Sequence, residues 1–262
     1  MNNRRRIYFA EQARWFTEFV SDPDANDQIA RIAAGGGSIS KSVSLTSFIK
    51  KTKELLVYNS GLMAVDANWG VVRDGSNKVS KMFSAYGNTF DWEQETGSAQ
   101  PTWIATGGNL NPAYISATAT QFFSFSSFPA YNHIFIGVRA NIVSYSGSST
   151  LGNYLIGNHN NSAYLRIQNT TGSLYTRNYT LGATAVSGAW HTLGAYCSRV
   201  APNGAVYLDG VDDTTTAPSN WGLSANLNSA LGTSLAIDFE RMVVYGSATA
   251  ISIETMEALL NA

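Results

Sequence analysis

Charge is scarce in this chain, and so are cysteine, histidine and proline. Only 13% of its 262 residues are charged, about half the ~25% of an ordinary soluble domain. The formal net charge is −1, so no global field draws the chain to nucleic acid or to an anionic membrane. The single cysteine, Cys197, excludes an intramolecular disulfide and reads as a core thiol in a strand-like run over 193–197. The three histidines, His133, His159 and His191, are scattered and give no metal-ligand spacing. There is no Gly-x-Ser-x-Gly elbow to present a nucleophilic serine. No run approaches the ~18 apolar residues of a membrane span. Arg4, Arg5 and Arg6 are followed by Glu11, Arg14 and Glu18 rather than by an apolar stretch, which speaks against a Sec signal peptide. Such a chain is expected to leave its cell by lysis or by being built into a particle.

What is abundant is glycine, with 23 residues, and tyrosine, with 13, alongside many serines, threonines and asparagines. That is the composition of an all-β protein with many turns and neutral polar faces. The charge is unevenly spread. Residues 1–56 hold nine of the 17 Lys and Arg and six of the 18 Asp and Glu. This first segment reads as helical. Ile7, Phe9, Ala13, Phe16 and Val20 recur at roughly helical spacing until Pro23. A second helix fits residues 26–34, with Gly35-Gly36-Gly37 to stop it, and a third fits residues 45–57, with Ser44 as its N-cap. The third helix is expected to pack on the β domain; residues 1–37 fit either such packing or an anchoring arm.

From about residue 58 the pattern changes to short strands. The runs 131–143, 154–157, 164–168, 173–179, 190–198 and 205–208 suit β structure, with turn clusters roughly every ten residues. Asp209-Gly210 between 205–208 and Val211 is a strong hairpin signal. A last amphipathic helix fits 252–260, with Ser252 as a simple cap. Trp190 and Trp103 are expected in the core, whereas Trp221, in the turn-like run Asn220-Trp221-Gly222, is expected to be exposed.

Four stretches carry a resemblance. Val65-Asp66-Ala67 with Lys78-Val79-Ser80-Lys81-Met82 is similar to an opening D-A…K-V-S-x-W strand pair, with Met82 in place of the Trp. Gln100-Pro101-Thr102-Trp103 is similar to a Q-P-T-W turn into a strand. Trp190-His191 with Tyr207-Leu208-Asp209-Gly210 resembles W-H…L-Y-V-D-G. Residues 239–245, followed by the last helix, resemble a closing E-V-x-V-Y…E-I element. Together they resemble the laminin-G/concanavalin A-like lectin and glucanase jelly rolls, in the form common in phage structural proteins. The resemblance implies a sandwich of two antiparallel sheets over 56–262, preceded by a helical attachment segment over 1–55. It also implies a virion protein, or otherwise an extracellular one, with a lectin-like domain facing outward. Its partners would be other virion proteins, through the N-terminal segment, and host-surface glycans.

The fold hosts lectins, glucanases and plain adhesion modules alike, so function must come from a site. Asp91, Glu93 and Glu95 alternate along a strand and so share one face, where mutual repulsion can hold a proton for acid–base work. Glucanases of this fold carry Glu-x-Asp-x-Glu; the order here is Asp-x-Glu-x-Glu, and the roles do not transfer. The expectation is therefore a chain without catalytic residues, cofactor or metal, with Asp91, Glu93, Glu95, Asn220 and Trp221 as ligand-binding residues. The alternatives are a polysaccharide-degrading hydrolase resting on 91–95 and a plain protein-interaction module. Asp209, Asp212 and Asp213 read as turn chemistry rather than as a calcium rim.

Overall fold

The computed structural model describes residues 22–55, 61–86, 90–109, 112–146, 153–157, 165–168, 170–176, 181–199, 204–216, 227–231 and 234–261. The first expected helix lies outside them. Among the described residues the chain is an all-β sandwich of two antiparallel sheets, with helices on one side. The larger sheet runs, in spatial order, β16 (Thr214–Thr216), β12 (Leu181–Ala185), β11 (Ser173–Tyr175), β10 (Leu165–Ile167), β9 (Tyr154–Ile156), β17 (Leu227–Ala230), β7 (Phe123–Phe128), β4 (Trp92–Glu93), β3 (Val79–Met82) and β2 (Val71–Arg73). The smaller runs β15 (Val211–Asp212), β14 (Gly204–Leu208), β13 (Trp190–Ser198), β8 (His133–Tyr145), β18 (Leu235–Ser247), β6 (Tyr114–Ala117) and β5 (Thr102–Ile104). β1 (Gly61–Asp66) also pairs with β18, beyond the end of β6.

Alternation assigns the faces. On the smaller sheet Ile134, Ile136, Val138, Ala140 and Ile142 of β8 point inward, as do Leu193, Ala195 and Cys197 of β13 and Ile237 and Phe239 of β18. They meet Trp92, Phe123, Phe125, Leu155, Leu165 and Leu174 from the larger sheet in one core. Cys197 is buried there, and burial pushes its thiol pKa up, so it is an inert core group.

Three helices cover one end of the smaller sheet's outer face. α1 (Pro23–Ala34) starts on Pro23 at its first turn, with the Asp22 carboxylate capping the amides of Asp24 and Ala25. The triple glycine ends it, Gly36 taking a left-handed φ of 78°. α2 (Ser42–Leu55) begins before Ser44, whose hydroxyl is instead 3.2 Å from the Trp69 Nε1 that donates to it. α3 (Ile253–Leu260) carries the expected Ser252 cap on the Thr255 amide. Ile32, Leu45, Phe48, Ile49, Leu259 and Leu260 from these helices join Trp69, Phe135, Val243 and Tyr245 in a second core. Gly137 lets α3 seat closely, because a Cβ there would lie 2.5 Å from a Leu260 methyl.

Under the helices lies a buried ion pair. The Arg241 Nε donates to Asp66 Oδ2 at 2.9 Å, with both side chains at most 2% exposed. Its Nη1 donates to the Leu259 and Leu260 carbonyls at the C-terminal end of α3, and its guanidinium lies 4.1 Å from the centre of the Trp69 ring. The Asp209-Gly210 hairpin forms as expected, with both residues at positive φ, 50° and 84°, joining β14 to β15.

Two tryptophan assignments are corrected. Trp190 and Trp103 are only half-buried, with Trp103 still packed against the inner core; among the described residues the fully buried tryptophans are Trp69 and Trp92. Trp190 opens its strand and points to the outer face, in register with Asn141. Trp103 is on a three-residue edge strand, where Arg73 lies 3.6 Å from its ring centre. A large ring in a strand is not fully buried when its strand end or sheet edge is left uncovered.

Candidate functional site

The run 91–95 folds as alternation requires. Trp92 turns inward, fully buried, stacked on Phe125 with ring centres 5.6 Å apart, its Nε1 3.2 Å from Met63 Sδ. Gln94 also turns in, its Nε2 donating to the Phe122 carbonyl at 3.0 Å. Asp91 is half-buried, and Glu93 and Glu95 are exposed, on the outer side of the larger sheet.

The carboxylates do not face one another bare. Asp91 Oδ2 lies 2.8 Å from Arg31 of α1 and 3.3 Å from Lys81 of β3, and its Oδ1 accepts from the Ser84 amide at 2.9 Å. Glu93 Oε1 lies 2.8 Å from the same Lys81 Nζ. Burial, which by itself lowers an ammonium, is outweighed at Lys81 by the Glu93 hydrogen bond and the charges of Asp91 and Glu93, so its pKa lies above the ordinary value. Two cations thus lie against the carboxylates of Asp91 and Glu93. The arrangement ties α1 to the sheet: Arg31 also donates to the Ser84 carbonyl at 2.9 Å and lies 5.0 Å from the Phe83 ring.

Asn220 and Trp221 lie outside the described residues; in the chain they fall between β16 and β17, both strands of the larger sheet. The aspartates near the hairpin are used locally. Asp209 accepts from the Thr192 amide and lies 2.7 Å from His191 Nδ1. Asp212 accepts from the Thr214 amide, and Asp213 from the amide and hydroxyl of Thr184. Among the described residues no three His, Cys, Asp or Glu side chains group as metal ligands, and no helix is long and apolar enough to cross a membrane.

One group on the larger sheet was not foreseen. Arg166 is in register with both Tyr154 and Tyr175 on neighbouring strands, its guanidinium 4.2 Å from the Tyr175 ring centre and 5.7 Å from that of Tyr154. The alternation Leu165-Arg166-Ile167 is visible in sequence, but which strands flank it is not.

No protein-family model matches the chain, and no curated protein matches it either. Solved structures do. One is an arabinofuranosidase complexed with arabinofuranosyl-α-1,2-xylobiose, with TM-score 0.52 and 9% identity, over 70% of this chain and 51% of that one. Another is a GH54 α-L-arabinofuranosidase soaked with a cyclic sulfate inhibitor, with TM-score 0.52 and 10% identity, over 70% of this chain and 50% of that one. The chain spans about half the length of each. At this identity the likeness concerns the fold alone, a β-sandwich. The expectation of a chain without enzymatic activity is corrected on this finding: both of these structures are of arabinofuranosidases.

Proposed function

We propose that the chain is a carbohydrate-active β-sandwich that engages a polysaccharide and hydrolyses a glycosidic bond. The observation that carries this reading is the sandwich shared with two arabinofuranosidase structures over 70% of the chain. The ligand surface is the outer face of the larger sheet. Glu93, Ser124, Ser126 and Ser127 are exposed there, and among the described residues the three helices serve chiefly the other sheet. Glu93 and Glu95 supply acceptors there for sugar hydroxyls; Asn220 and Trp221, the further candidates of the sequence, lie outside the described residues. Asp91 takes part as the group that fixes Lys81 and Arg31 beside these glutamates.

Hydrolysis requires two carboxyl groups about 5–9.5 Å apart, one of them able to carry a proton. Glu93 and Glu95, two residues apart and both exposed on that ligand face, are the carboxyls proposed for this role, while Asp91, held by Lys81 and Arg31, orients ligand. In the same reading, attachment to a virion or another large assembly falls to the residues ahead of α1, because α1 and α2 spend their apolar faces on the sandwich.

The test is affinity electrophoresis of the full chain in gels containing arabinan, arabinoxylan or β-glucan, with reducing-end release measured on each. Retardation in one polysaccharide, with release of reducing ends, is the expected result. Unchanged mobility and no release on all three would overturn the reading.

A further inference from the structure

The outer face of the smaller sheet has a second end, which the three described helices leave uncovered. Register places a row of side chains across it. Trp190 of β13 pairs with Asn141 of β8, Asn141 with Asp238 of β18, and Asp238 with Ser116 of β6. All four point outward, because Ile142, Ile237, Ile115 and Leu193, each an odd number of positions away on its own strand, lie in the inner core. Tyr114, two residues before Ser116, shares the face. Strands are spaced ~4.8 Å apart, so Trp190 and Tyr114 start three strand spacings from each other. Their rings nevertheless meet edge to face, with centres 5.7 Å apart at 78°. They therefore arch over the two middle strands, above Asn141 and Asp238. Tyr114, Ser116, Asn141, Trp190 and Asp238 are all half-buried, so the arch is not sealed.

The polar groups below it are poorly matched to a purely structural role. Asp238 takes side-chain hydrogen bonds from Ser116 and Asn141, and burial pushes its pKa above the ordinary carboxylate value. Burial and the charge of Asp238 push the Tyr114 hydroxyl up as well, which places the two groups close together. Among the described residues no lysine or arginine forms an ion pair with Asp238. The Asn141 Oδ1 is buried and accepts no hydrogen bond. Buried polar atoms are rarely left so, and each such atom calls for an explanation.

We propose that this row is a binding site for one unit of a neutral saccharide, separate from the face of the larger sheet. A sugar hydroxyl donates to Asn141 Oδ1, a neighbouring hydroxyl donates to Asp238, and the exposed part of the Trp190–Tyr114 pair takes the apolar sugar face. An anionic sugar is disfavoured by the uncompensated carboxylate. A quaternary ammonium ion would suit the rings and the carboxylate, but it has no O–H to give Asn141, and an edge-to-face pair presents no cage. The inference rests on the carbohydrate reading above and adds a second place of contact.

The test is isothermal titration of the full chain with arabinofuranosyl-xylobiose, arabinotriose and cellotriose, with glucuronic acid and tetramethylammonium as charged probes. Asp238→Asn, Tyr114→Phe, Trp190→Ala and Glu93→Gln are compared with wild type. Asp238→Asn and Tyr114→Phe keep the shapes of their side chains, so they carry the test if Trp190→Ala fails to fold. The expected result is two classes of binding of a neutral probe by wild type, one weakened at least tenfold by Asp238→Asn, Tyr114→Phe and Trp190→Ala and kept in Glu93→Gln, whose effect falls on the other class. Binding lost only in Glu93→Gln, or unchanged in every variant, would overturn this site while leaving the carbohydrate reading intact. Binding of tetramethylammonium alone would make it a cation site and overturn the proposal. Absence of any binding by wild type, together with unchanged mobility in polysaccharide gels, would sink both.

Discussion

Asp238 and Arg241 lie three residues apart on β18, both on its outer face, and they live in opposite surroundings. Arg241 lies beneath the helices, at most 2% exposed, paired with Asp66 and capped by the carbonyls that end α3. Asp238 lies past the edge of the helical cover, half-buried beneath two rings, bonded to an amide and a hydroxyl. Strand and face are the same and both side chains are ionisable; what differs most is the layer on top. Where helices close the surface, a charge must be fully compensated and serves the fold. Where they stop, an uncompensated carboxyl and an unpaired amide oxygen remain within reach of a ligand.

The comparison can be broken first at its buried half. Asp66→Ala leaves the Arg241 guanidinium without its partner in a dry site, and a loss of ~3–5 kcal/mol is expected in urea melts. Replacing both residues by apolar ones of similar volume should recover much of that loss. Trp92→Ala, in the inner core, should cost ~3–5 kcal/mol by the same measurement. Ile32→Ala asks whether α1 is part of the body. Its side chain is fully buried among helix and sheet residues, and a cost of ~2–4 kcal/mol is expected. A wild-type melt for that variant would make α1 an accessory arm instead.

The open half should respond weakly to the same treatment. Trp190→Ala is expected to cost only about 1 kcal/mol, because the ring is half-buried and touches few core atoms. A loss as large as that of Trp92→Ala would mean that the arch belongs to the core. The smallest effect is a pH effect. Burial lowers the pKa of His133, whose Nδ1 sits 2.6 Å from Tyr196 OH and 3.0 Å from Ser198 Oγ. Its folded value lies below the ordinary 6.5, so the unfolded chain takes up the proton first. Stability is full above pH 6.5 and is lost as pH falls from there toward the folded value. A His133→Gln variant should remove that part of the slope.

Much of the fold was legible in the sequence because its signals are local. Gly35-Gly36-Gly37 stops α1, Ser252 caps α3 and Asp209-Gly210 turns the hairpin, each acting within a few residues. Alternation likewise gave the faces of 91–95. What escaped was everything set by pairing over long separations. Lys81 and Arg31 reach Asp91 from 10 and 60 residues away, and they change a bare acidic face into a compensated one. The row under the arch joins residues from 114 to 238 through four strands, with no motif to announce it. Trp103 and Trp190 look like core residues in the sequence, but the burial of the first depends on its place at the sheet edge and that of the second on where the helices stop.

The central claim, that the uncovered end of the outer face holds a sugar, is tested most directly on the tryptophan indoles. Their N–H resonances can be assigned by single Trp→Phe substitutions and followed by NMR while arabinofuranosyl-xylobiose is added to the full chain. The account predicts that the Trp190 resonance moves in a saturable manner while those of Trp69 and Trp92, both fully buried, stay in place. A saturable shift confined to other indoles, with Trp190 unmoved, would contradict it.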